Sequence, residues 1–207
     1  MRATLKTDAK TWKEAAEMAR EFVTIVSGLP RSGTSMMMQS IEAGGIEALT
    51  DRIRKADVDN PKGYYEYEPV KKTKEDPSWL DSAGGKVVKM VYKLLYDLPP
   101  DYEYRVVFMR RSFDEVLASQ AKMLERLGKK GGGVGDEKMK ALFTQQLKEF
   151  EEWLAGQECL TVLDVDHRDM VENAVEQVRR INEFLGGDLD TNAMVAVVDP
   201  SLYRNKR

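Results

Sequence analysis

Short apolar runs alternate with amphipathic stretches along most of this chain. Phe22–Val26, Lys86–Val91, Tyr104–Met109 and Leu160–Val165 are four such runs of strand length. An apolar run of this size, bounded by turn residues, is the pattern of a strand buried on both faces. Helical spacing of apolar positions appears over 8–20, 34–43, 113–127, 137–155 and 169–185. Asp8 is a candidate N-cap for the first of these helices, and Gly186–Gly187 a candidate C-cap for the last. The stretch LLYDLPPD, from Leu94, predicts a short turn-ended helix. Strands alternating with helices predict an α/β fold: a parallel sheet flanked by helices in three layers. Residues 44–85 and 128–136 break the pattern. The first is rich in charge, Gly and Pro, and the second, GKKGGGVGD, is glycine-rich. Both are predicted to cover a site, the second as a mobile lid or a linker. No internal repeat is visible, and 207 residues fit a single domain over 1–207.

Composition narrows the classes. A net charge of −3 gives no general affinity for nucleic acid, so an anion site must be a local basic pocket. The one cysteine, Cys159, cannot form an internal disulfide and suits a core position. That cysteine usage fits a reducing, cytoplasmic compartment. No apolar run has membrane-spanning length, and the first twenty residues lack the apolar core of a secretory signal. No metal-ligand spacing is apparent. Oligomeric state cannot be read from the chain.

The chemistry concentrates between Phe22–Val26 and the helix from Thr34. The string SGLPRSGTSMMMQ, residues 27–39, carries Gly28 and Gly33. A loop that leaves a strand and enters a helix aims backbone N–H groups at one point, and the helix dipole adds positive potential there. Glycines let the backbone close around an anion. Arg31, Ser32, Thr34 and Ser35 add a fixed charge and three hydroxyls. A tight strand–helix turn with an ordinary cap would read the same way. A nucleotide-hydrolysing loop would carry Lys after the second glycine. Thr34 stands there, and the cation sits inside the loop as Arg31. The second strand ends without an Asp for magnesium, while Asp164 and Asp166 lie on the last strand. Met36–Met38 suit core packing.

The string LPRSGTS resembles the 5′-phosphosulfate loop of sulfotransferases that use 3′-phosphoadenosine 5′-phosphosulfate (PAPS). That loop runs Pro, Lys or Arg, Ser or Thr, Gly, then two hydroxyl residues. YRVVFMRRSFDEVLASQ, from Tyr104, resembles the 3′-phosphate motif of the same family: a strand ending in Arg, then a helix with Ser eight residues on. Arg111 and Ser119 have that spacing, and strand alternation turns Arg110 the other way. EVLASQ is typical of the bacterial branch. NPKGYYE, residues 60–66, and VLDVDHRDMVENAVEQVRRINEFLG, residues 162–186, resemble further family segments. The resemblance implies a P-loop NTPase-like sulfotransferase fold. It also implies sulfuryl transfer from PAPS, with release of 3′-phosphoadenosine 5′-phosphate, to a hydroxyl or amine of a small acceptor and without a metal. Pro30, Arg31, Ser32, Gly33, Thr34 and Ser35 would hold the 5′ end of the donor, and Arg111 and Ser119 its 3′-phosphate. Arg31 would replace the family's loop lysine at the leaving oxygen. Met36 stands where a Trp stacks on adenine in the animal cytosolic enzymes.

The base departs from the animal pattern. VKMVYKLL, from Val88, has no histidine, and the only one, His167, reads as structural or exposed. The carbohydrate N-sulfating branch uses a glutamate, which makes Glu66, and after it Glu68, candidate bases. Lys89 is a candidate contact to the sulfuryl group. Tyr64, Tyr65 and Tyr67 could line an acceptor pocket. Arg204, Lys206 and Arg207 could reach the 3′-phosphate, as basic tails do in the family. Two alternatives stay open on sequence: a P-loop kinase or NTPase, and a non-catalytic relative that binds the donor.

Overall fold

The computed structural model describes residues 22–51, 53, 63–129 and 135–203. The helix expected over 8–20 and the basic tail residues Arg204, Lys206 and Arg207 lie outside them. Strands β1 (Phe22–Gly28), β2 (Ala48–Leu49), β3 (Val87–Lys89), β4 (Glu103–Arg110) and β5 (Leu160–Asp166) form one parallel sheet in the order β2-β3-β1-β4-β5. Between and after them run α1 (Thr34–Ala43), α2 (Phe113–Arg126), α3 (Asp136–Leu154), α4 (His167–Glu172), α5 (Ala174–Phe184) and α6 (Thr191–Val197). The chain is therefore α/β, with helices on both faces of a parallel sheet.

β1 is central and every one of its residues is buried. Its neighbours β3 and β4 pair with both of its edges, and a core layer covers each of its faces, which is why its sequence is largely apolar. Period-two alternation sends Phe22 and Val26 to one layer and Val23 and Ile25 to the other. On the first side they meet Met37, Met38 and Ile41 of α1, Val178 and Ile181 of α5, and Met194 of α6. On the second side Val106 and Phe108 of β4 meet Phe150 of α3 together with Trp79, Leu80 and Leu95.

Several elements differ from the sequence expectation. The helix expected over 169–185 is two, broken at Asn173. α4 starts earlier because the Asp166 carboxylate accepts from the backbone N–H of Arg168 at 2.7 Å and of Asp169 at 3.3 Å. β2 and α6, at two and seven residues, are too short to show a period. α6 is fixed from outside: Ser40 Oγ donates to the Met194 carbonyl at 3.1 Å. Residues 44–85 do more than cover a site. Ile46, Val70, Trp79, Leu80 and Ala83 are buried in the core from that segment, several of them on the 3₁₀ turns Glu68–Lys72 and Ser78–Ser82. Their apolar residues are too widely spaced by charges to register as an element. Cys159 is only half-buried, at the rim of the second layer. Among the described residues no helix is long and apolar enough to cross a membrane.

Phe150 is the hub of the second layer. Its ring lies 5.4 Å from that of Phe108, 5.6 Å from Tyr92 and 5.7 Å from Trp153, centroid to centroid, with no exposure to solvent. Phe150→Ala is expected to cost about 3–5 kcal/mol in urea unfolding. A loss below about 1 kcal/mol would mean that α3 is not part of the core.

Candidate functional site

The loop between β1 and α1 is wound tightly. Gly28, Arg31 and Gly33 all have left-handed backbone, with φ of 143°, 72° and 99°. At Gly28 a Cβ would stand 2.7 Å from the Met109 carbonyl oxygen, so the β1–β4 pairing itself requires glycine there. At Gly33 a Cβ would stand 2.5 Å from His167 Cδ2. Arg31 is not glycine, and a left-handed arginine carries strain of roughly 1–3 kcal/mol that its surroundings must offset. Gly33 stands at the N-cap of α1, and no side-chain cap is made there among the described residues. The first-turn N–H groups of α1 and the positive end of its dipole face the adjoining cleft.

What holds Arg31 is the second predicted motif. The Arg111 guanidinium donates to the Arg31 carbonyl at 2.9 Å, and Arg31 Nε donates to Ser119 Oγ at 3.0 Å. Residues 80 and 88 positions apart in sequence thus share one corner. The sheet explains this. β1 and β4 are parallel neighbours with Gly28 opposite Met109, so the turns that follow them leave the same sheet edge side by side. Arg110, one residue earlier, turns away to Asp164 at 2.7 Å and Glu151 at 2.8 Å.

A cleft of about 910 Å³ opens at this corner. It is lined by the loop residues Pro30, Arg31, Gly33, Thr34 and Ser35, and by Arg111 and Ser119. Ser32 is not brought into it. Its hydroxyl is buried and has no hydrogen-bond partner among the described residues, and Ser32 lines a separate cavity of about 290 Å³ with Phe108 and Phe113. Among the described lining residues six are cationic, Arg31, Lys71, Lys89, Arg111, Lys122 and Arg126, against two carboxylates, Glu66 and Asp199. A chain of net charge −3 therefore carries a basic cleft.

The Tyr64 carbonyl organises one wall. It accepts from Ser35 Oγ at 3.3 Å and from Lys89 Nζ, which brings the end of β3 to the start of α1. Tyr65 next to it has a left-handed φ of 54° and donates its hydroxyl to Glu42 at 2.5 Å. Tyr64 and Tyr67 line the cleft, whereas Tyr65 is turned to α1. Glu66 lines the cleft, and its backbone carbonyl is held by Thr50 Oγ1 at 3.0 Å. Glu68 is exposed and pairs with Lys71 at 2.5 Å. Asp164 is engaged by Arg110 and Asp166 by the start of α4, so both are occupied structurally. Of NPKGYYE, residues 60–62 lie outside the described residues.

Sequence reasoning missed a group behind Arg111. Glu115 is 2% exposed and accepts from Arg111 Nε at 2.9 Å and from the Tyr203 hydroxyl at 2.6 Å, with Arg168 at 3.5 Å. Burial alone would raise its pKa, but the Tyr203 and Arg111 hydrogen bonds outweigh it and hold the carboxyl below its usual range. The signal available in sequence was its i,i+4 spacing from Arg111. Tyr203 stands at the far end of the described chain and gives no such signal. His167 was expected to be structural or exposed. It is buried, lines the cleft against Gly33, and its Nδ1 has no hydrogen-bond partner among the described residues. Burial, then the Arg111 charge, push its pKa down to about 4. No family model matches this chain, and a search of curated proteins finds no significant match.

Below pH 6.5 the unfolded chain protonates this imidazole, while the folded protein keeps it neutral down to about pH 4. The unfolded state binds the extra proton, so stability falls as the pH drops through that window, by on the order of 3 kcal/mol. Glu115 adds to the loss only below its ordinary value of 4.5. Urea unfolding of His167→Gln is expected to show a much flatter pH dependence between 6.5 and 4. An unaltered slope would place that titration on another group.

Proposed function

We propose that this protein transfers a sulfuryl group from PAPS to a hydroxyl or amine of a small acceptor, on a P-loop-type sulfotransferase fold. One observation carries the reading. The glycine loop and the Arg111–Ser119 pair, far apart in sequence, close on each other in the lining of one basic cleft. A nucleotide with phosphates at both its 3′ and 5′ positions needs two such anion grips beside each other.

The residues fit the nucleotide's charge. Gly28 and Gly33 leave room for backbone to approach an anion, and the start of α1 offers N–H donors. Thr34 and Ser35 stand at that start. With PAPS bound, the acceptor oxygen bonds to sulfur, the bond from sulfur to the 5′-phosphate oxygen breaks with its electron pair left on that oxygen, and the acceptor proton goes to a base. Arg31 and Lys89 neutralise charge on either side of the sulfuryl position. Arg31 keeps its charge throughout and so stabilises rather than donates a proton. Ser119, through its hydrogen bond to Arg31 Nε, positions that guanidinium. Glu66 is the carboxylate on this wall of the cleft and takes the acceptor proton.

Calorimetric titration tests the donor. Adenosine 3′,5′-bisphosphate is expected to bind and stabilise the protein more than ATP with magnesium. The reverse order would favour a kinase or NTPase. Arg111→Ala should weaken bisphosphate binding by about 1.5–3 kcal/mol, the scale of a hydrogen bond to a charged group. Unchanged affinity would remove Arg111 from the grip. Glu66→Gln should lower kcat about 100-fold with bisphosphate affinity intact. A variant with full turnover would exclude Glu66 as base, and a wild type that binds the bisphosphate yet sulfates no alcohol, phenol, amine or sugar would be a binding protein.

A further inference from the structure

His167 is the only histidine of the chain, and its buried ring lines the cleft at the glycine loop. It is the first residue of α4, directly after β5. Asp166 before it accepts from the backbone N–H groups of Arg168 and Asp169, which fixes the start of that helix. The Tyr203 ring packs edge-on against the imidazole, with centroids 5.1 Å apart and planes at 68°. The Cδ2–Nε2 edge lies against Gly33, where a Cβ would stand 2.5 Å from Cδ2 and 3.3 Å from Nε2. The ring is thus held by separate segments, with Nε2 turned to the N-cap of α1.

The two ring nitrogens have different surroundings. Nδ1 is enclosed and has no hydrogen-bond partner among the described residues. An enclosed N–H without an acceptor is rarer than an enclosed acceptor without a donor. The neutral ring therefore keeps its proton on Nε2, on the edge beside the loop. The groups around it oppose a second proton. Burial and then the Arg111 charge act against it, and outweigh Glu115 and Asp166, which favour it. The Tyr203 hydroxyl stays neutral, since burial and its bond to Glu115 raise its pKa.

We propose that His167 is a ligand of the bound nucleotide: Nε2–H donates to the phosphate held at the start of α1, and the imidazole stays neutral in the complex. The assignment rests on the sulfotransferase reading for which phosphate this is, the 5′ one beside Thr34 and Ser35. Gly33 serves both partners. The missing Cβ that lets backbone approach the anion also lets the imidazole approach it. A neutral donor suits this place, because an imidazolium would repel the neighbouring Arg111. A proton on Nδ1 would also find no acceptor there. The ring is packed before the ligand arrives, so the contact costs little ordering.

With one histidine in the chain, ¹⁵N-histidine labelling of the full, untagged protein gives a single imidazole to follow by NMR. Between about pH 6 and 8 the spectrum is expected to show Nε2 protonated and Nδ1 bare. Adenosine 3′,5′-bisphosphate should move the Nε2 resonance and leave that tautomer in place. A proton on Nδ1, two protonated nitrogens in the complex, or an Nε2 signal blind to the ligand would overturn the proposal. Calorimetry adds two variants. His167→Gln, whose amide N–H stands near the Nε2 position, should keep bisphosphate affinity within about three-fold. His167→Leu should lose about ten-fold or more, the scale of a hydrogen bond to a charged group. Equal affinity in all three proteins, or an equal loss in both variants, would remove His167 from the phosphate. If ATP with magnesium binds in place of the bisphosphate and gives the same shifts and the same order of variants, the donor reading fails and His167 remains a phosphate ligand. A wild type that binds neither nucleotide would overturn both.

Discussion

The Arg111 guanidinium is the contact on which the site depends. It reaches forward to the Arg31 carbonyl and back to the buried Glu115 carboxylate. Forward, it stabilises a left-handed arginine in the loop. Backward, it satisfies a carboxylate that would be costly to bury alone. Tyr203 and Arg168 complete the shell around Glu115 and bring the end of the described chain to the corner between β4 and α2. A guanidinium suits this post because its planar fork bonds two acceptors in different directions without losing its charge. One side chain thus links two strand-to-helix turns and the C-terminal region.

Around that link the protein separates its charges. The chain as a whole is slightly acidic, yet the described residues that line the cleft include three times as many cations as carboxylates. Surface carboxylates are spent on neighbours away from it: Asp164 and Glu151 on Arg110, Asp114 and Glu137 on Lys140, Glu176 and Glu183 on Arg179. His167 is held neutral at the loop by burial and by the same arginine. A neutral imidazole there packs against Gly33 without adding a charge that would compete with Arg31 for position. The wall made by Tyr64 works through backbone: one carbonyl orients both the Ser35 hydroxyl and the Lys89 ammonium, and the strained turn at Tyr65 is secured to α1 by Glu42.

Much of the frame was legible in the chain. The apolar runs of β1 and of the middle of β4 were readable because strands buried on both faces leave no polar alternation to confuse the pattern, and β5, exposed at Thr161, Asp164 and Asp166, was readable from Val162, Leu163 and Val165. α1, α2 and α3 were readable from their period. The loop was readable because Gly28 and Gly33 bracket a basic, hydroxyl-rich string, and Arg111 and Ser119 were readable from their spacing. The elements that were not legible share a cause. β2, α6 and the 3₁₀ turns around Val70 and Trp79 are short and take their shape from what they pack on, as α6 does from Ser40.

The residue string alone determined an alternating α/β chain, a glycine loop after its first strand, and a basic, hydroxyl-bearing corner after its third long apolar run. It could not say that these two corners touch, because that follows from β1 and β4 lying side by side although β2 and β3 intervene in sequence. It could not give the roles of Glu115, His167 and Tyr203, which come from separate segments and become neighbours only when the sheet closes. Nor could it turn Ser32 away from Thr34 and Ser35. That was decided by the winding of the loop around Arg31, since left-handed residues reverse the direction of successive side chains, and only the folded backbone fixes where they occur.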